Sequence, residues 1–191
     1  MKVNFVKTFI PVKDFVAVEK VGNKMLVRFD AVKDADMDAY SCVEGSVSAS
    51  EYNEQEARRE YEAWKQKWAE KALVLAKKAK IAEITAYDTS DKVNGFILNG
   101  LLVWLDKATR VGLMNSTTIA KAAGQETTTL WLGGLKLVVD CDKAIQLLSA
   151  LEMYALECFN VTASHKQAVS ELMTIEEVEA YNYKSGYPKM L

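Results

Sequence analysis

Apolar and polar positions change period twice along this chain. In the first fifty residues the period is two. Phe15, Ala17 and Glu19 alternate with Val16, Val18 and Lys20, which makes one face of an extended segment more apolar. In "FVAVEKVGNKMLVRF" two runs rich in valine and aromatics flank the turn signal "VGNK", the pattern of a β-hairpin. A run from Val3 to Ile10 stops at Pro11, which lacks a backbone donor and suits a strand end or a sheet edge, and "AYSCVEGSVS" predicts one more strand. From residue 51 to residue 83 the period becomes helical, with neither glycine nor proline. Ser50 is placed to cap this helix, and Glu51 and Glu54 suit the positive end of its dipole.

One seam of that helix joins Tyr61, Trp64, Trp68, Ala72, Leu75, Ala79 and Ala82 at steps of three and four residues. At 1.5 Å per residue the helix is roughly 45–50 Å long, more than a small domain needs, so part of it is expected to project or to meet another chain. The seam either packs across the C-terminal domain as a core helix or joins copies in a coiled coil or bundle. Tyr61, Trp64, Trp68 and Leu75 are the candidate interface residues.

Residues 84–191 say nearly the same thing twice. "FIL" and "LLVWL" flank Asn99-Gly100, and "LWL" and "LKLVV" flank Gly133-Gly134. Both dipeptides suit a tight turn whose central residues need positive φ. Asp106 and Asp142 then stand before "KA", each placed to cap a following helix. The expected architecture is a hairpin–helix unit used twice, the two copies matching with a two-residue slip and burying their apolar faces against each other. Trp104 and Trp131 fall on equivalent strands of the two hairpins as core anchors, a sugar-stacking platform being the sharper alternative. Two short helices are expected to follow, the first capped by Thr162 or Ser164 and the second by a Thr174–Glu177 capping box.

Composition narrows the chemistry. The formal net charge of -2 offers no basic footprint for nucleic acid, and no stretch approaches a membrane span. Charges at Lys7, Lys13 and Asp14 interrupt the apolar core that a secretory signal requires, so synthesis in the cytoplasm is expected. Three cysteines without CxxC spacing and a single histidine argue against a disulfide framework and a metal site. A Cys158–His165 dyad is set aside because cysteine most often packs in cores. "DCD" at residues 140–142 has no phosphate loop beside it, and Asp142 reads as the helix cap with Asp140 as its solvated neighbour. Glu152 and Glu157 lie on one helix, not across a cleft as a glycosidase pair would. No catalytic residue, metal ligand or cofactor is expected.

The phrases "WLDKATRVGL", "TTTLWL", "ALEMYALECFNVT" and "TIEEVEAY" resemble a family of uncharacterised domains found in phage and prophage tail or tail-fibre-associated proteins of gut Bacteroides-like hosts. The resemblance covers about residues 77–189 and supplies no catalytic residue. It implies a role in the virion or in its assembly. The reading of the whole chain is α+β: a β-rich segment at 1–50, a long helix at 51–83 and a hairpin–helix repeat domain at 84–191. Its expected function is non-enzymatic attachment in a phage tail, made in the host cytoplasm and carried in the virion. The expected partners are other tail or fibre proteins and further copies of itself, with no nucleic acid and no membrane. The alternatives are a tail-fibre assembly chaperone absent from the finished particle and a tail-associated protein that binds or degrades glycans.

Overall fold

In the computed structural model, which describes residues 2–93 and 95–191, the chain is α+β in the expected order. Four strands, β1 (Asn4–Pro11), β2 (Val18–Val21), β3 (Lys24–Asp34) and β4 (Ala39–Ser48), precede the long helix α1 (Glu54–Asp88). The pair β5 (Phe96–Leu98) and β6 (Leu101–Val103) then leads into α2 (Lys107–Ala122). A second pair, β7 (Thr127–Leu132) and β8 (Leu135–Asp140), leads into α3 (Cys141–Glu171), and α4 (Ile175–Ala180) follows. The chain divides into two compact units within α1, between Ala72 and Leu73. The sequence alone placed boundaries at both ends of the helix.

The first unit is an antiparallel sheet in the order β1-β4-β3-β2, with β1, which ends in proline, at one edge. Alternation along β3 and β4 puts Val27, Val43 and Val47 on one face, where all three are buried. The first turns of α1 supply Ala57 and Tyr61 to the same core, and both are buried. Gly45 of β4 lies under the Phe5 ring, where an added Cβ would stand 2.6 Å from the ring. On the opposite face Arg28 bonds Glu44 and Glu19, each at 2.9 Å. The helix starts later than expected. Asn53, not Ser50, accepts from the Glu56 amide at 3.0 Å, while the Ser50 hydroxyl is engaged with Ser48.

The second unit contains the two hairpin–helix repeats, each hairpin a separate two-stranded sheet. Phe96, Val103 and Leu105 of the first repeat and Leu130, Leu132, Ala144, Leu148 and Leu151 of the second form one buried core. Both turns have the expected positive φ, +49° and +81° at Asn99-Gly100 and +57° and +88° at Gly133-Gly134. The cap of the second helix differs from expectation. Asp140 accepts from the amides of Asp142 and Lys143, whereas Asp142 lies in the first turn and pairs with Lys121 of α2. The two-residue slip between the repeats thereby disappears, because Asp106 and Asp140 each stand six residues after the last turn glycine.

One further sequence reading changes. No separate helix begins at Thr162 or Ser164, since α3 runs unbroken to Glu171. Thr162 is buried and donates to Asp88 of α1 at 2.7 Å, a side chain fastening two helices. The expected Thr174–Glu177 capping box is present on α4. A smaller core of Ile84, Val169 and Val178 joins the end of α1, the end of α3 and α4.

The caps imply an acid response. The Thr109 hydroxyl, followed by backbone amides, holds Asp106 below its ordinary 3.8. The Met173 and Thr174 amides hold Glu177 below its ordinary 4.5. A carboxylate depressed by folding contributes stability that is complete above its unfolded pKa and is lost as pH falls through the folded value. Resistance to urea is therefore expected to decline from about pH 5 towards about pH 2, and Asp106→Asn and Glu177→Gln should each flatten that decline.

Candidate functional site

A one-residue bulge in β3 builds the most chemically varied site. Phe29 pairs with Val43 and Val32 with Ser41, so Asp30 and Ala31 together oppose the single residue Cys42. Asp30 takes φ +48°, a left-handed conformation that aspartate tolerates better than most residues. Bulges re-aim side chains, and this one turns the Asp30 carboxylate towards α1. Its Oδ2 accepts from the Tyr61 hydroxyl at 2.6 Å and from Lys65 Nζ at 2.8 Å.

Helical spacing brings the rest of the site together. Tyr61, Trp64, Lys65 and Trp68 share one face of α1. The Tyr61 ring stacks on Phe29 at 4.3 Å with 5° between planes. Trp64 stands 5.7 Å from Phe5 and 5.7 Å from Trp68. Two ammonium groups attend the Trp68 ring, Lys7 from β1 at 5.5 Å and Lys71 at 5.8 Å. Between sheet and helix lies a cleft of about 300 Å³ lined by Lys7, Asp30, Ser41, Tyr61, Trp64 and Trp68. That volume is at the lower end of small-molecule sites, roughly 300–1,000 Å³.

Hydrogen bonds fix the charge states of the polar groups in the cleft. Hydrogen bonds from Lys65 and then from Tyr61 hold the Asp30 carboxyl below its usual range. Burial, and then donation to Asp30, pushes the Tyr61 phenol well above its usual range, so it stays a donor. The cleft thus offers a charged acceptor, two indole rings and exposed ammonium groups.

The four candidate interface residues are treated differently by the fold. Tyr61 is only 3% exposed and belongs to the core of its unit, and Trp64 is half-buried. Trp68 is 45% exposed at the cleft, while Leu75, 56% exposed, lies in the second unit. Sequence reasoning missed Asp30, Lys7 and Lys65. The one available signal was an acidic residue in the apolar strand run "MLVRFDAV".

In the second unit Arg110 is buried among the described residues, and it donates to Glu152 Oε2 at 2.7 Å and to the Leu105 carbonyl at 2.6 Å. Its guanidinium carbon lies 5.0 Å from the Trp104 ring centroid. Glu152 is therefore committed to a structural pair. The two tryptophans are not equivalent: Trp131 lies on β7, the first strand of its hairpin, whereas Trp104 follows β6. Nor is Trp131 a core anchor, because it faces outward opposite Lys136 and is exposed. Cys158 is buried, which raises its thiol, while the His165 ring nitrogens bond the Tyr181 hydroxyl and the Ser185 carbonyl. On α3, Met153, Leu156 and Phe159 are all exposed at three-residue steps, an apolar row on the helix surface.

Among the described residues no three potential metal ligands gather, and no helix is long and apolar enough to cross a membrane. No curated protein matches the chain, and no solved structure matches it. The profile of a domain of unknown function, DUF4376, matches residues 75–184, which lie within the second unit and include α2, α3, α4 and both hairpins. With more than half of its length matched, this chain belongs to the DUF4376 family.

Proposed function

We propose that this chain is a non-enzymatic attachment protein of a phage tail, made in the host cytoplasm and carried in the virion, where the family domain binds neighbouring tail or fibre proteins. The observation that carries the attachment role is the apolar row of Met153, Leu156 and Phe159 on α3, left 57%, 49% and 65% exposed. Large apolar side chains adjoining along one helix face are a surface that association covers. Val74 and Leu75 on the α1 part of the same unit are also exposed. The tail setting draws support from the phrase-level likeness of "WLDKATRVGL" and "ALEMYALECFNVT" to tail-associated domains. Tail parts are built from symmetric copies, so a second copy of this chain is a natural first partner.

The test is mass spectrometry of gradient-purified particles from the phage or prophage that encodes the chain, with this protein counted against the major tail proteins. Stoichiometric presence supports the proposal, and Leu156→Asp should then deplete the protein from particles. Absence from particles together with abundance in the lysate would turn the reading to a fibre-assembly chaperone.

A further inference from the structure

We propose that the cleft at the β3 bulge binds an acidic saccharide, a pyranose ring carrying a carboxylate, stacked on Trp68. This inference concerns the first unit, which lies outside the family-matched segment, and it stands independently of the tail assignment.

Three features converge on this class of ligand. The first is the acceptor. Both bonds to Asp30 fall on Oδ2, so Oδ1 takes no hydrogen bond from the described residues, and the side chain is 53% exposed. A carboxylate held by a lysine and a tyrosine on one oxygen presents the other to hydroxyl donors, which a sugar has in abundance. The Ser41 side of the cleft adds a second small polar group. The second feature is the platform. Trp68 keeps nearly half its surface exposed beside Trp64, and an indole face accepts the C–H face of a pyranose while its polar edges remain hydrogen-bonded. The third is charge. Lys65 neutralises Asp30, but neither Lys7 nor Lys71 has a carboxylate within ion-pair distance among the described residues. The rim beside the Trp68 ring is therefore cationic.

These features also separate the ligand classes. A glutamate-rich peptide would satisfy the lysines but would set its carboxylates against Asp30, with no hydroxyls to use the open oxygen. A neutral sugar would use Asp30 and Trp68 but would offer the lysines only neutral hydroxyl acceptors, without an ion pair. A ring with both hydroxyls and a carboxylate engages all three. The strained φ of Asp30 fits such a role, since backbone strain is retained where a side chain must point in one direction.

The experiment titrates the full chain with tetragalacturonate, with neutral tetragalactose and with a tetraglutamate peptide, following tryptophan emission and heat. Saturable binding of tetragalacturonate is expected, at least about ten-fold tighter than either control. Trp68→Ala and Lys7→Ala should each weaken it about ten-fold or more. Both residues lie at the surface, and circular dichroism with amide exchange in β3 and β4 will show whether each variant keeps its fold. No binding of tetragalacturonate up to roughly 10 mM would overturn the proposal. So would equal affinity for tetragalactose or tetraglutamate, or wild-type affinity in folded Trp68→Ala.

Discussion

Truncating Tyr61 to alanine is expected to destabilise the first unit by roughly 3–5 kcal/mol, the range for removing a large aromatic side chain from a core. Tyr61 is almost wholly buried, stacks on Phe29 and approaches Phe5 edge-on at 5.7 Å. Alanine leaves a cavity between helix and sheet and withdraws the hydroxyl that holds Asp30 at the bulge. Tyr61→Phe separates the two effects. It keeps the ring and should cost about 1 kcal/mol, because Lys65 still pairs with Asp30. Trp68→Ala, one helical turn pair further on and half exposed, should cost no more than about 1 kcal/mol. Native-state hydrogen exchange of the β3 and β4 amides reads this unit directly. A Tyr61→Ala cost as small as that of Trp68→Ala would mean that the helix does not depend on this ring for its place on the sheet.

Arg110→Ala should be nearly as damaging to the second unit, at about 3 kcal/mol. The Arg110 side chain is 7% exposed, and its guanidinium serves three partners, Glu152, the Leu105 carbonyl and the Trp104 face. Alanine strands the Leu105 carbonyl in a buried position and uncovers the indole. Glu152 is 45% exposed and can return to water, which keeps the loss below that of a fully buried pair. Arg110→Lys should recover only part of the stability, because one ammonium cannot make the fork of bonds to a carboxylate and a carbonyl while lying flat on a ring. Glu152→Gln should cost about 1 kcal/mol. Amide exchange in α2 and α3 measures each change, and a loss under about 1 kcal/mol for Arg110→Ala would show that the pair merely fills a surface slot.

Local chemistry made most of the elements readable. A strand ending at Pro11 became a sheet edge, and Asn99-Gly100 and Gly133-Gly134 made their turns because few other dipeptides take positive φ twice. Thr174 and Glu177 capped a helix within four residues of sequence. Errors arose where two local solutions compete. Asp140 and Asp142 both offer a cap, and the choice went to Asp140 because β8 hands directly to α3 while Lys121 of α2 engages Asp142. Thr162 resembled a cap but lies mid-helix, bonded to Asp88, seventy-four positions away.

The candidate cleft was half legible. Tyr61, Trp64 and Trp68 announced themselves by helical spacing, since i, i+3 and i+7 on a helix are neighbours whatever the rest of the chain does. Their partners were hidden. Lys7 and Asp30 reach Trp68 and Tyr61 only through strand register, and a bulge shifts that register by one residue without any periodic trace.

By itself, then, the sequence determined the α+β order, the repeated hairpin–helix unit, the turns and the face of α1 that carries the aromatics, because each depends on residues within a few positions of one another. Only the tertiary structure decided that Tyr61 is a core residue while Trp68 is a surface one, that Arg110 is buried, that Trp131 is exposed, and that the chain divides inside its longest helix. Those outcomes depend on which distant segments share a core, and burial is a property of the packed chain that no local pattern encodes.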